Sequence, residues 1–337
     1  MKYKLLAVST GNGEINIGDY IQALASSQFL PSIDGFIQRE KLNEYKNEEA
    51  KIIMNGWFMD HPENWPPSEN IKPLFVAFHI NSTVKEQLTS PSSIAYLKKF
   101  EPIGCRDENT VSLLKEKGVN AYFSGCMTLT LGKKYYTEEV ENKYYFVDPF
   151  FVTNWSLPKI CKNLFILLFN WRNIKKIAQK YYNQKTSLRK HLIITTFYNE
   201  YRKVFSKDIL LNAEYINQQN LEIRKKYQSN EALLKYAEEL VKKYAKAKLV
   251  ITSRIHCALP CIGLETPVIY IDNKQQSEAS SCRLKGLKEL FNIIYWNKDH
   301  LEDDFPGEIG TQNLPRNKDE HREIIEHLIS KCSDFTK

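Results

Sequence analysis

The residues best suited to chemistry lie where an apolar run is interrupted. In LVITSRIHCALPCIGLETPVIYI (residues 249–271) the run stops at Thr252-Ser253-Arg254, continues through His256, and turns apolar again. A buried strand has no use for a guanidinium, but the start of a helix does if an anion sits there, because unpaired N–H groups at a helix N-terminus attract negative charge. Ser253 reads as the helix cap. Arg254 then supplies a bidentate donor for phosphate or carboxylate, and His256 a group able to move a proton near neutral pH. GCRDENT (residues 104–110) repeats the arrangement in the first half of the chain. There Asp107 is a natural N-cap. Arg106 is not explained by the cap, since a cation beside a helix N-terminus opposes the helix dipole. A cleft between the two halves would bring Arg106 and Arg254 to one small anion. The plain alternative is that Arg254 pairs with a surface acid and His256 packs in the core.

Weaker signals surround these two. GNGEINIGD (residues 11–19) is a glycine-bearing loop between a strand and a helix, and offers Asn16, Gly18 and Asp19 to a cleft wall. It matches neither the dinucleotide nor the phosphate-loop pattern. Asn55-Gly56-Trp57 reads as a turn after the second strand, with Trp57 able to stack on a sugar. Arg283, in SSCRLKGLKEL, is a candidate third cation. His79 is isolated and reads as structural. No nucleophile elbow and no metal-binding motif is present, so no metal and no cofactor is expected. The seven cysteines are scattered without Cys-x-x-Cys, which points to a reduced, cytoplasmic chain without a zinc site.

The elements that position these residues alternate strand and helix. KYKLLAV (2–8), KIIMNG (51–56), PLFVAFH (73–79), PIGC (102–105) and NAYF (120–123) read as strands. DYIQALASSQFL reads as a helix with Asp19 and Gln22 as a capping box, and DENTVSLLKEKG as a helix closed by Gly118. YYFVDPFF (144–151) opens a second series. EALLKYAEELVKKYAKA, SRIHCALPCIGL, RLKGLKELF and KDEHREIIEHLI read as its helices, LVIT and PVIYID as its strands. This alternation predicts an α/β fold of two Rossmann-like domains with parallel sheets. The first spans 1–135 and the second 136–315, with their boundary in the charged stretch 131–143, and a terminal helix occupies 316–337.

The 337 residues are 42% apolar and 26% charged, an ordinary soluble composition, with net charge +7. That charge is local. From Pro149 to Asn199 there is no Asp or Glu but nine Lys or Arg, and the rest of the chain is slightly acidic. No nucleic-acid-reading module accompanies the charge, so nucleic acid is not expected. The apolar centre of this segment, LFILLFNW (164–171), is too short to span a bilayer. Residues 150–230 read as a mainly helical basic insertion. With the following Lys and Arg residues this segment makes either a basic amphipathic helix resting on an anionic membrane through 159–190, or a helical insertion packed on the second domain.

NIGDYIQALA, GCRDENTVSLLKEKGVNAYFSGCMTLTL and VITSRIHCALPCIGLETPVIYI, in that order, resemble the polysaccharide pyruvyl transferase family. The resemblance covers the N-terminal third and residues 231–295, not 150–230. It implies a pair of Rossmann-like domains similar to glycosyltransferase type B. It also implies transfer of pyruvate from phosphoenolpyruvate to a sugar of a cell-surface or exopolysaccharide precursor, often as a cyclic ketal. On the matching motifs Arg106, Arg254 and His256 would hold phosphoenolpyruvate, with His256 catalytic and Asn16, Gly18 and Asp19 in the cleft wall. The acceptor would be a glycan or lipid-linked oligosaccharide, reached in the cytoplasm or at the inner face of the membrane. Two other functions fit the residues: a nucleotide-sugar-dependent glycosyltransferase, and a glycan-binding protein without turnover.

Overall fold

The computed structural model describes residues 1–8 and 13–337. Part of the 11–19 glycine loop, including Gly11, therefore lies outside the described residues. The chain builds two six-stranded sheets. The first contains β1 (Lys2–Ala7), β2 (Phe36–Gln38), β3 (Ala50–Phe58), β4 (Ile71–Ile80), β5 (Ile103–Cys105) and β6 (Ala121–Phe123), in the order β2-β1-β3-β4-β5-β6, all parallel. The second contains β7 (Tyr144–Val147), β8 (Glu214–Ile216), β9 (Leu249–Thr252), β10 (Val268–Asn273), β11 (Asn292–Asn297) and β12 (His300–Glu302). Its order is β8-β7-β9-β10-β11-β12, parallel except for the last strand. Strand order thus reverses at the same point in both sheets, between the first and third strands of each. In open α/β sheets such a reversal leaves a crevice beyond the carboxyl ends of the strands, where ligands bind.

Both faces of each sheet are covered, which is why the strands read as nearly continuous apolar runs. In β7, Tyr145 and Val147 join a core between the sheets, whereas Tyr144 and Phe146 face an outer core. The inner core is a helical layer: α1 (Ile17–Ser27), α5 (Asn230–Ala245) and α6 (Ile255–Gly263) pack against Leu5, Ile53 and Val76 of the first sheet and Val250 and Tyr270 of the second. Contact here is at backbone level. A Cβ on Gly263 would stand 2.0 Å from the Leu129 carbonyl oxygen, and one on Gly132 would stand 1.9 Å from that of Gly263. Only glycine permits that approach. The outer face of the second sheet is covered by α3 (Leu157–Tyr182) and α4 (Leu188–Tyr201). Two further helices, α2 (Glu108–Glu116) and α7 (Arg322–Phe335), flank the first sheet. In α7, Cys332 packs on Met127, and Lys51 donates to the Phe335 carbonyl oxygen.

Several local expectations change. The cap of α1 is Asn16, whose side chain accepts from Gly18 N–H at 3.1 Å, not Asp19, which lies in the first turn. Asn55-Gly56-Trp57 is not a turn, because β3 runs on to Phe58 with a register irregularity at Gly56. RLKGLKELF is not a helix. It forms two short turns, Cys282–Leu284 and Lys288–Leu290, separated by Gly286 at φ 85°. Residues 150–230 are helical for most of their length, but their end supplies β8. It also supplies a two-residue pairing of Gln219 with Asn16 and Asn220 with Ile15, which ties it to the first half.

Candidate active site

A cavity of about 240 Å³ opens where the carboxyl ends of the two sheets meet. Val8, Asn16, Asp19, Arg39, Trp57, Asp60 and Arg106 line it from the first half, and Gln218, Gln219, Arg254, Ile255, His256 and Arg283 from the second. The strand-end cations expected from sequence thus converge on one space. A wider hollow of about 560 Å³ lies between α1, Phe36 and α5, but its Lys134 and Lys235 sit beside Glu231 and Glu238. Among the described residues it has no buried polar atom lacking a partner, whereas the smaller cavity has several, which makes the smaller one the candidate site.

Arg106 dominates it. Its side chain is 1% exposed, and none of its three guanidinium nitrogens has a hydrogen-bond partner among the described residues. Burial lowers its pKa, with Arg283 adding to that and Asp107 and Asp19 opposing it; a guanidinium nonetheless stays charged. A buried, unpaired charge is costly, so the geometry asks for an anion. The backbone explains the placement: Arg106 N–H donates to the Phe78 carbonyl at 2.9 Å, fixing the residue just past β5. Asp107 then caps α2, accepting from Thr110 N–H at 2.9 Å, as its position in the sequence implies. Its other oxygen accepts from His79 Nδ1 at 2.6 Å, with both side chains fully buried. Burial, with help from Arg106, brings His79 down to about 4, so the ring is neutral. His79 is thus held through Nδ1 by Asp107, while its Nε2 is buried without a partner among the described residues.

Arg254 reaches the site differently. It is itself the N-cap residue of α6 and makes no side-chain cap, whereas Ser253 Oγ donates to the Asp148 carbonyl at 2.6 Å. The expected Ser253 cap is therefore absent, and Ser253 instead ties the start of α6 to the end of β7. Arg254 Nε lies 2.9 Å from Asp148 Oδ2, and its Nη1 donates to Gln219 at 3.0 Å. Asp148 also accepts from Gln218 N–H at 3.0 Å. The pair spans the strand reversal of the second sheet. Arg254 does pair with an acid, as the plain alternative had it, but with the largely buried Asp148 rather than a surface one.

His256 is buried, with Nε2 lacking a partner among the described residues. Burial first, then Arg106, Arg283 and Arg254, hold its pKa well below the usual value, so the ring is neutral near pH 7. Its backbone departs from helix (φ −83°, ψ 19°). Pro260 explains this, because it has no N–H to give the His256 carbonyl four residues earlier and its ring crowds that carbonyl. Gly18 supplies the room: a Cβ there would lie 3.0 Å from His256 Cβ and 3.1 Å from Nδ1. Gly18 thus seats the imidazole against α1.

Asp19 lines the cavity with its pKa raised by burial, which outweighs Arg39 and Arg106. Arg39 lies 3.9 Å from Asp19 and 2.7 Å from Glu40, with its guanidinium 5.1 Å from the Trp57 ring centre. Arg283 lines the wall with Nε unpartnered among the described residues. Asn55 and Gly56 do not reach the cavity. Asn55 accepts from Ser26 and donates to the Gln22 carbonyl, pinning α1 to β3, and Gly56 makes room for Gln22. Sequence reasoning missed Val8, Arg39, Asp60, Gln218, Gln219 and Ile255. Arg39 follows a three-residue strand with too little periodicity to be seen, and the two glutamines are uncharged. Among the described residues no group of three or more His, Cys, Asp or Glu is placed to hold a metal ion.

A family model described as polysaccharide pyruvyl transferase matches residues 16–275. The chain belongs to this enzyme family, and the match runs through 150–230 as well as the three stretches whose resemblance is visible by eye. A search of curated proteins gives no match.

Proposed function

We propose that the chain transfers pyruvate from phosphoenolpyruvate to a sugar of a cell-surface or exopolysaccharide precursor and closes it into a ketal. The fold would be two Rossmann-like domains of glycosyltransferase type B arrangement, 1–135 and 136–315, followed by the terminal helix. The observation that carries the reading is the buried Arg106 guanidinium, open to a small cavity beside Arg254, Arg283 and a neutral His256. Phosphoenolpyruvate bears a carboxylate and a phosphate, and several cations around a small volume suit that compact polyanion better than a long nucleotide sugar. The uncapped N-terminus of α6 adds to the same field.

In this reading neutral His256 takes the proton of the acceptor hydroxyl as its oxygen bonds to C2, and a proton is delivered to the methylene carbon, which becomes methyl. The C2–O bond to phosphate then breaks, its electron pair leaving with the phosphate. A second hydroxyl closes on C2 and gives up its proton. Arg106, Arg254 and Arg283 stabilise the departing phosphate electrostatically. Asp19, with its raised pKa, is a second proton-holding group on the wall. Trp57, beside Arg39, offers a flat surface to the acceptor sugar.

A thermal-shift titration tests the donor. Phosphoenolpyruvate should raise the melting temperature of the wild type by mass action, whereas UDP-galactose and GDP-mannose should not. Arg254→Ala should weaken that response by about 10- to 100-fold in ligand concentration. Stabilisation by a nucleotide sugar alone would move the chain to a glycosyltransferase reading.

A further inference from the structure

α3 carries apolar side chains on two sides but has only one side covered. Ile166, Leu167, Ile174, Ile177 and Ala178 are buried on the second sheet. On the opposite side Leu157, Phe165, Leu168 and Phe169 are 78, 63, 77 and 74% exposed, and the two phenylalanine rings touch with centres 4.6 Å apart. The spacing of 157, 161, 164, 165 and 168 is one helical stripe, with Cys161 and Leu164 also exposed on it. A helix apolar all round belongs in a core or against something equally apolar.

The charges indicate what covers it. Asn170 kinks the helix (φ −119°, ψ 20°), its side chain donating to the Ile166 carbonyl. Beyond the kink, exposed Arg172, Lys175 and Lys176 continue the outward side. No acid occurs between Asp148 and Glu200. Trp155 and Trp171 are both partly exposed, and Arg189 lies 5.6 Å from the Trp155 ring. Apolar side chains flanked by tryptophan and by unopposed cations match the layered chemistry of an anionic bilayer surface, where acyl chains, headgroup boundary and phosphates are met in turn. A protein partner would need acids placed to match these cations, whereas an anionic bilayer supplies the phosphates for the cations and the headgroup boundary where tryptophan settles in one surface. Among the described residues no helix is long and apolar enough to cross a membrane, so the fit is in the plane.

We propose that the outward side of α3 docks this enzyme on anionic lipid. Lys159, in the first turn of α3, pairs with Asp299 just past β11, so the docking helix is tied to the same strand-end edge that bears Arg254. The surface therefore holds the cavity near the membrane, where a lipid-linked glycan would present its sugars. This rests on the side chains of α3 and not on the identity of the donor.

The test is co-sedimentation with vesicles of phosphatidylcholine alone and of phosphatidylcholine with phosphatidylglycerol, at ~0.1 and ~0.5 M salt. The wild type should partition to the anionic vesicles at least ~tenfold more than to the neutral ones, lose most of that in high salt, and show blue-shifted tryptophan emission. Leu168→Asp/Phe169→Asp and, separately, Lys175→Glu/Lys176→Glu should each reduce partition at least ~tenfold. All four positions are exposed, and circular dichroism checks that each variant is folded. Absence of vesicle binding overturns the proposal, as does equal binding to neutral vesicles or unchanged binding by both variants. So does a wild-type dimer that Leu168→Asp/Phe169→Asp converts to monomer, which would assign the face to a second copy of this chain.

Discussion

Arg106→Met should make the empty protein more stable and the enzyme useless. Arg106 is buried with three unpartnered nitrogens, so folding without ligand leaves a cation desolvated and without a hydrogen-bond partner among the described residues, offset only in part by the charges of Asp107 and Asp19. Replacing a buried charge by an apolar side chain of similar reach is often stabilising, here by about 1–3 kcal/mol. The same change removes the deepest cation in the cavity. Losing one partner of a buried charge pair costs about 2–5 kcal/mol of binding, or at least ~30-fold in phosphoenolpyruvate affinity. The measurement is a denaturant melt with and without phosphoenolpyruvate. Wild type should gain stability with ligand, whereas Arg106→Met should start higher and gain nothing. A variant less stable than wild type without ligand would mean that the guanidinium holds the fold together, and the anion reading would fall.

His256→Gln should leave donor binding within a few-fold and lower kcat by about 10²–10⁴, the usual contribution of a positioned acid–base group. The pH profile carries more information. Burial and three guanidinium groups hold the His256 pKa well below 6.5. A bound dianion opposes the guanidinium field and raises it. The acid limb of kcat/KM, which reports the free enzyme, should therefore lie below pH 6.5, and that of kcat, which reports the complex, at higher pH. Both limbs should vanish in His256→Gln. Identical limbs in wild type and variant would remove His256 from proton transfer.

The sequence made the cations legible because each ends a short strand, where neither a core nor a cap accounts for a guanidinium. Arg106 and Arg254 were found that way, and the strand-end geometry then placed them at a common cavity. Details that depend on contacts between distant segments were not legible. Ser253 has the type and position of a cap but turns to the Asp148 carbonyl, because the end of β7 lies alongside. Asn55 and Gly56 look like a turn, yet β4 pairs with β3 past them and the chain stays extended. His79 looked isolated because its partner Asp107 is 28 residues away. The two sheets repeat one strand order, but the repeat is invisible in the sequence, since β2 and β8 have three residues each.

The helical layer between the sheets has a consequence for how the protein comes apart. Leu5, Ile53 and Val76 share one core with Val250 and Tyr270 through α1, α5 and α6, and α7, last in the chain, returns to pack on Met127. Each half has an outer core of its own, but their inner faces share one interior, so removal of either would bare the other's apolar side to water. Thermal denaturation should be a single cooperative event, with calorimetric and van't Hoff enthalpies in agreement, rather than the two steps that a pair of sheets suggests. Loss of the final helix by proteolysis would uncover Met127 and Tyr122 and free Lys51, 205 residues or more earlier in the chain, at the floor of the first sheet.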